Sequence, residues 1–469
     1  MKIEQIYTGC IAQAAYYLES YGEVAIFDPL REVQPYIDRA NKDNAKIKYI
    51  FETHFHADFV SGHLDLAKKT GGKIVYGPTA KPNFECIIAE DNQEFKVGNY
   101  TIKAIHTPGH TLESTCYLLT NEKGVQHGII SGDTLFIGDV GRPDLAQEFV
   151  GELTQELLAG YLFDSLRNKI MTLADELIVY PSHGAGSACG KNLSKETTDT
   201  LGNQKKTNYA LRADMNKEEF INELLDGLAP PPAYFPQNVM LNIQGYESLD
   251  NIMEKGNKPL NAKEFEAIAN QTEALILDVR HENDFVKQHI PGSIFIGLHG
   301  GFAPWVGAMI KDVKQPILLV IPEGLEKETI TRLSRVGFDN TLGYLKGGIE
   351  EWKNAGFETD NLKSVSPEVF ANQYNNAIVI DARKPSEFEA ERVEKGINIP
   401  LDFLNEHIAE VPKQETFYVH CAGGYRSVIW ASIMKSRGYH NMINVEKGMS
   451  GIRETKILLT KFVCPSTLK

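Results

Sequence analysis

Short apolar runs punctuate the first 200 residues: Glu23–Phe27, Lys48–Phe51, Lys73–Tyr76, Tyr100–Ile105, Cys116–Leu119, Gly128–Ile130 and Leu177–Tyr180. Few long helical patterns lie between them. Runs of this length, rich in β-branched and aromatic residues, predict strands, and so many in one segment predict sheet packed on sheet with helices outside. From about residue 260 the pattern changes: short β-branched runs alternate with helical patterns, as in a small α/β unit with a mostly parallel sheet. Between the two regions stand Ala229-Pro-Pro-Pro232 and Pro236. Proline cannot continue a helix or a central strand, so this stretch reads as a linker.

The second region repeats itself. Ile276-Leu-Asp-Val-Arg280, followed by Phe285, matches Val379-Ile-Asp-Ala-Arg383, followed by Phe388, at an offset of 103 residues (Asp278 to Asp381). The match continues as Val336-Gly-Phe-Asp-Asn340 against Arg437-Gly-Tyr-His-Asn441, and as Lys346-Gly347 against Lys447-Gly448. Matched order over that length means a duplicated domain of about 100 residues. The chain is therefore expected to be multi-domain α/β, with domains at 1–245 (including the linker), 246–360 and 361–469.

Composition narrows the function classes. The 469 residues carry 42% hydrophobic and 23% charged side chains, which fits a globular chain and excludes a mainly disordered one. The net charge is −14, and no basic run stands out, so neither nucleic acid nor an anionic membrane is an expected partner. No apolar stretch approaches the roughly 20 residues that cross a bilayer, and the first residues lack a signal-peptide core. Six scattered cysteines are too few for a disulfide scaffold. A cytoplasmic location follows as the expectation.

Polar clusters follow several of the apolar runs. They are Thr53-His-Phe-His-Ala-Asp58, Thr107-Pro-Gly-His110, Ser131-Gly-Asp133 and Pro181-Ser-His183. Side chains on loops at the ends of rigid strands can converge on one point, and imidazoles with carboxylates suit a divalent first-row metal. Any single histidine would pass as a hydrogen-bonded or solvated side chain. Four clusters, each at a strand end, point to a metal centre instead.

His-x-His-x-Asp, then Gly-His, Gly-Asp and a later His-Gly resemble the metallo-β-lactamase superfamily over about residues 1–210, which implies an αββα sandwich with the metal at one edge of the sheets. Members of the glyoxalase II type continue the first motif with a histidine that helps hold a second metal. Here that position is Phe59, and the second site is left with Asp58, His183 and a share of Asp133. Gly138-Asp-Val-Gly-Arg-Pro-Asp144, His183-Gly-Ala-Gly-Ser187 and Ala188-Cys-Gly-Lys191 are similar to the persulfide dioxygenases of the superfamily. That resemblance implies one Fe(II) held by His54, His110 and Asp133, with coordination positions left for a persulfide sulfur and O₂. His56, Asp58 and His183 would orient ligands and waters, and His56 stays open as a direct ligand. Arg142 is a candidate for holding an anionic group of the carrier thiol, against an ion pair with Asp144. Cys189 is a candidate for coming near the metal and holding a persulfide itself, against a small buried thiol. Expected partners are a low-molecular-weight persulfide, O₂ and sulfite, and the resemblance implies a homo-oligomer.

His420-Cys-Ala-Gly-Gly-Tyr-Arg426-Ser427 sits between the apolar run Thr416-Phe-Tyr-Val419 and a helical pattern starting near Val428. A cysteine opening a glycine-bearing loop at a helix start is surrounded by backbone N–H groups, which favour its anion. The spacing Cys-x₄-Arg is one residue shorter than in cysteine phosphatases and suits a persulfide sulfur rather than a phosphate. With Asp381-Ala-Arg383 and Glu446-Lys-Gly448, it resembles a rhodanese sulfurtransferase. This implies Cys421 as nucleophile, Arg426 as its partner, and Ala422, Gly423, Gly424 and Tyr425 as the persulfide loop. The middle copy reads Val320-Ile-Pro-Glu-Gly324 at the matching place and has no cysteine, so it is expected to be catalytically dead. The expected activity is iron-dependent oxidation of a persulfide to sulfite coupled to sulfur transfer. Two alternatives are a dinuclear zinc thioester hydrolase of the glyoxalase II type fused to a sulfurtransferase, and a sulfur-relay protein using the rhodanese thiol alone.

Overall fold

Every apolar run singled out in the first 200 residues becomes a strand in the computed structural model, with ends within two residues of those expected. The structure describes residues 2–145, 153–191, 193–228 and 230–464, so Ala229 lies outside the described residues. One six-stranded sheet runs in the order Lys2–Thr8, Gln13–Ser20, Glu23–Phe27, Lys46–Phe51, Lys73–Tyr76 and Ile87–Ile88. The other runs Asp199–Thr200, Ile178–Pro181, Gln126–Gly132, Thr115–Thr120, Tyr100–His106 and Glu94–Val97. The pair Lys2–Thr8 and Gln13–Ser20 was not expected from the pattern. Gln13–Ser20 is buried on both faces over nearly its whole length, so its sequence shows no alternation to betray it.

The two sheets close on an aromatic core. Phe51 stacks on Phe27 at 5.0 Å from the same sheet and meets Tyr117 at 4.8 Å and Phe95 at 5.4 Å from the other. Opposed inner faces of two sheets leave about 10 Å to fill, which ring pairs at these separations do well. Helix Gln155–Ser165 covers the outer face of the second sheet, placing Leu162 in one cluster with Ile105, Leu118 and Ile129. Helices Gln34–Lys42 and His63–Thr70 pack on the strand Lys46–Phe51 of the first sheet. The result is the expected αββα sandwich.

The proline stretch differs from its expectation. Pro236 stands in the first turn of helix Phe235–Gln244, whose Asn238, Val239 and Asn242 are buried. Proline is tolerated there because the N–H it lacks has no helical acceptor in the first turn.

The two copies have one topology. Each is a five-stranded sheet with every pairing parallel, in the orders 259–260, 341–345, 317–320, 275–278, 294–295 and 364–365, 442–445, 417–420, 378–381, 397–398. By proximity of backbone the chain groups into two compact units. One holds residues up to Asn251 with Lys311–Val313 and Thr331–Asp339, and the other holds the remainder, including most of both copies. The three-domain division near residues 245 and 360 is therefore kept as our proposal. Among the described residues no helix is long and apolar enough to cross a membrane.

Phe51 is fully buried where both sheets meet. Phe51→Ala is expected to lower unfolding free energy by about 3–5 kcal/mol in urea titrations, through lost burial and the cavity left behind.

Candidate metal centre

The four polar clusters follow the C-terminal ends of one strand of the first sheet and three of the second. The loop carrying His54, His56 and Asp58 follows Lys46–Phe51, and His110 follows Tyr100–His106. Asp133 follows Gln126–Gly132, and His183 follows Ile178–Pro181. Gly132 turns with φ +56°, and a Cβ there would lie 2.7 Å from Cβ of Thr53, so only glycine lets the Asp133 and His54 loops approach.

His54, His110 and Asp133 converge: one donor atom from each lies within 4.8 Å of the other two. Asp133 Oδ2 is 3.4 Å from His110 Nε2 and 3.8 Å from His54 Nε2, and it is buried with no hydrogen-bond donor. The other nitrogens explain why both Nε2 lone pairs are free. His110 Nδ1 is 2.7 Å from the carbonyl of Arg142, which can only accept, so Nδ1 carries the proton. Thr53 gives its single hydroxyl hydrogen to Asp28 Oδ2 (2.9 Å), so at 3.0 Å it accepts from His54 Nδ1. Burial, reinforced by the neighbouring His56, pulls the His54 pKa well below the ordinary value. Burial acts to raise Asp133, but His183, His54 and His110 outweigh it and hold the carboxyl ionised far below its usual range. Two imidazoles that turn Nε2 inward and one ionised carboxylate, with an orphaned oxygen between them, fit a divalent metal.

The remaining expected groups divide. His56 turns away from this set: its Nε2 lies 3.1 Å from Asp28 Oδ1 and 3.6 Å from Glu52 Oε2, and its ring packs 4.3 Å from that of Phe59. His183 is clamped between carboxylates, with Nδ1 2.8 Å from Asp133 Oδ1 and Nε2 2.8 Å from Asp58 Oδ2. Burial works against its charge, but the two aspartates win and raise its pKa well above the ordinary value. Cys189 groups with Asp58 and His183 and not with the first three donors, and it is buried; burial, then Asp58 and Asp133, push its thiol well up. Arg142 resolves toward the ion pair: its guanidinium makes two 2.6 Å bonds to Asp144 and a longer one to the Ala188 carbonyl. It serves the centre through its backbone oxygen on His110, and the fork offered for a carrier anion is already engaged.

Three supporting residues escaped the sequence. Asp28 also accepts from the Thr53 N–H at 2.8 Å and the Ser182 hydroxyl at 2.7 Å. It directly follows the apolar run Glu23–Phe27, so the strand-end signal that found the others was present here too. Glu52 accepts from the Ser61 hydroxyl, and burial followed by Asp28 raises its pKa well above the ordinary value. Asn242, from the stretch read as a linker, donates to the carbonyls of His56 (2.8 Å) and Phe59 (2.9 Å) and accepts from the Ser61 N–H (2.9 Å). A contact 186 residues away in sequence leaves no local signal. A cavity of about 440 Å³ opens beside His110, with Phe55, Leu112, Leu145, Val239 and Ile243 among its apolar walls and Lys81 and Glu113 also lining it.

In the last copy, Cys421 follows strand Phe417–His420 and is buried, and the Gly424 N–H points at its sulfur from 3.2 Å, just before helix Tyr425–Ser436. Gly448 packs where a Cβ would lie 2.2 Å from the Cys421 carbonyl oxygen. Arg426 makes bonds of 2.7 and 2.8 Å to Glu387, and Arg383 is bidentate on Asp381. Tyr425 donates to the Gly297 carbonyl of the middle copy at 2.7 Å.

Comparison with known proteins agrees with this fold. The model of the metallo-beta-lactamase superfamily matches residues 8–183. A crystal structure of a metallo-beta-lactamase from Staphylococcus aureus is 32% identical, with a TM-score of 0.64, and the match covers 73% of this chain and 98% of that one. The chain belongs to the metallo-β-lactamase superfamily. Within the superfamily it is also similar to the probable hydroxyacylglutathione hydrolase glo2 of Schizosaccharomyces pombe, 32% identical over 168 residues, 34% of this chain. The match spans only 58% of that protein's length. A hydroxyacylglutathione hydrolase of Pseudoalteromonas translucida is 30% identical over 250 residues, 53% of this chain and 84% of its own. The model of the rhodanese-like domain matches residues 261–355 and 366–455, the two copies. A superfamily sandwich thus precedes two rhodanese-like domains.

Two outcomes are expected. Metal analysis should find one equivalent that depends on the sandwich, its affinity reduced at least tenfold by His54→Ala and retained in Cys189→Ala. Two equivalents, one of them lost with Cys189, would mark Asp58, His183 and Cys189 as a second site. The other concerns His63, buried against Phe84 at 5.0 Å and Tyr246 at 5.6 Å, where burial above all lowers its pKa from 6.5 to about 3. The unfolded chain takes up this proton near pH 6.5 and the folded chain only near pH 3. Stability therefore falls as pH drops through that window, by about 1.4 kcal/mol per unit from this group. His63→Phe should make the pH dependence of unfolding shallower by about that slope.

Proposed function

We propose that the sandwich oxidises a thiol persulfide, R–S–SH, with O₂ and water to sulfite and the free thiol, and that the last rhodanese-like domain exchanges sulfur with this reaction. The balance is R–S–SH + O₂ + H₂O → R–SH + H₂SO₃. The observation that carries the reading is the three-donor set itself. His54, His110 and Asp133 offer two nitrogens and one oxygen, His56 faces Asp28, and Phe59 stands where a further donor would be needed. His183, with both nitrogens beside carboxylates and its charge favoured, is set to orient Asp133 and Asp58 more than to ligate.

When bound there, one Fe(II) supplies the redox chemistry that joins O₂ to sulfur, since a two-histidine, one-carboxylate set leaves positions open. The chain does the rest. The Arg142 carbonyl and Thr53 hold the two imidazoles in the tautomer that presents Nε2. The cavity beside His110 takes the organic part of the carrier and keeps bulk water from the reacting sulfur, and Lys81 in its lining offers a cation. In the last domain the Cys421 thiolate attacks a sulfane sulfur, forming Cys421–S–S⁻ and releasing the donor. Passing that sulfur to hydrogensulfite gives thiosulfate and restores the thiolate: Cys421–S–S⁻ + HSO₃⁻ → Cys421–S⁻ + HS₂O₃⁻. The Gly424 N–H and the start of the following helix favour the anionic sulfur in both states. A homo-oligomer forms part of the proposal.

A second reading keeps one specific support. Similarity to hydroxyacylglutathione hydrolases, with Asp58, His183 and Cys189 grouped beside the first three donors, favours a dinuclear zinc thioester hydrolase. The test is elemental analysis of anaerobically purified protein, followed by oxygen-electrode assays with several small persulfides. One iron and persulfide-dependent O₂ uptake are expected. Two zinc ions with thioester cleavage and no O₂ uptake would select the hydrolase. Cys421→Ser is expected to keep O₂ uptake and to lower thiosulfate formation by about a hundredfold or more. Loss of O₂ uptake as well would mean that Cys421 feeds the sandwich instead.

A further inference from the structure

The middle copy lacks the nucleophile, yet it gathers donors of its own. His281 and Glu282 lie just beyond strand Leu275–Asp278, and His299 lies just beyond strand Ile294–Phe295, again at strand C-terminal ends. The two imidazoles are stacked 4.6 Å apart and within 3° of parallel, so both turn an edge to the same carboxylate. Glu282 Oε2 is 2.8 Å from His299 Nε2 and 3.4 Å from His281 Nδ1. That oxygen is buried yet makes no aligned hydrogen bond with either nitrogen. One donor atom from each of the three residues lies within 4.8 Å of the others, while the histidines themselves stand half open to solvent.

At the repeat offset the last copy has Lys384, Pro385 and Asp402 in these places. Only the copy without the thiol carries the two histidines and the glutamate. Two imidazoles and a carboxylate around one point, with an open side toward water, are a donor set for a divalent first-row transition ion, bound most tightly at the copper and zinc end of the series. We propose that His281, Glu282 and His299 bind such an ion on the middle copy. Binding gives the misaligned Glu282 oxygen a partner. It also displaces the weak 3.2 Å bond by which His281 Nδ1 accepts from the Asn283 N–H. His299 meets Tyr425 edge to face at 5.5 Å, so one ligand of the ion touches the loop that begins at Cys421. The middle copy thereby has a role that needs no thiolate.

The test uses the full chain, stripped by chelation and titrated with Zn(II) alone against a chromophoric competitor. Asp133→Ala serves as the background, so that the sandwich centre contributes least. Adding His281→Ala or His299→Ala is expected to remove one equivalent or weaken it at least tenfold, with Glu282→Gln weakening it in the same direction. Circular dichroism and the urea unfolding midpoint report that the variants are folded. An isotherm unchanged by the histidine variants overturns the proposal. So does a background protein that takes up no zinc at micromolar concentration. Neither outcome bears on whether the sandwich oxidises persulfide.

Discussion

The Asp28 carboxylate takes three hydrogens from two loops: the backbone N–H and hydroxyl of Thr53, and the hydroxyl of Ser182. Those residues immediately precede His54 and His183. A fully buried carboxylate is costly to hold unless its oxygens are satisfied, and here the groups that satisfy it also fix where the imidazoles point. The chain Asp28–Thr53–His54 sets the tautomer of one donor, and the Ser182 bond ties down the loop of the histidine that flanks Asp133. Loosening this one group would free two sides of the centre together.

Around that anchor the sheet topology does the placement. Strand ends bring four loops to one edge, and the tight approach at Gly132 lets two of them touch. The centre is thus a property of the rigid sandwich, and the apolar cavity beside His110 is defined partly by a helix from the far end of the same unit. Val239 and Ile243 reach that wall because the stretch after helix Lys217–Leu225 forms a proline-led helix and not an open connector.

Much of this was legible in advance. The strands with a clear apolar run, the converging histidines and aspartates, the duplicated copies and the missing thiol all have local signatures. What stayed hidden was either symmetric or remote. Gln13–Ser20 shows no alternation because both its faces are buried. Asn242 holds the His56 and Phe59 carbonyls across more than 180 residues of sequence, and no periodicity marks such a bond. Pro236 misled because a proline at a helix start reads like one in a connector. Arg142 was open between two roles on sequence alone, and the short bonds to Asp144 decide where its guanidinium goes.

The duplicated half has its own interdependence. Tyr425 of the thiol-bearing copy hands its hydroxyl hydrogen to Gly297 of the other, Ser432 receives the Phe295 N–H, and Lys435 pairs with Asp360. The loop that begins at Cys421 thus has one wall built by the copy without a cysteine. A truncated protein consisting of the final hundred residues alone would keep Cys421 but lose that wall, so one repeat is scaffolding for the other.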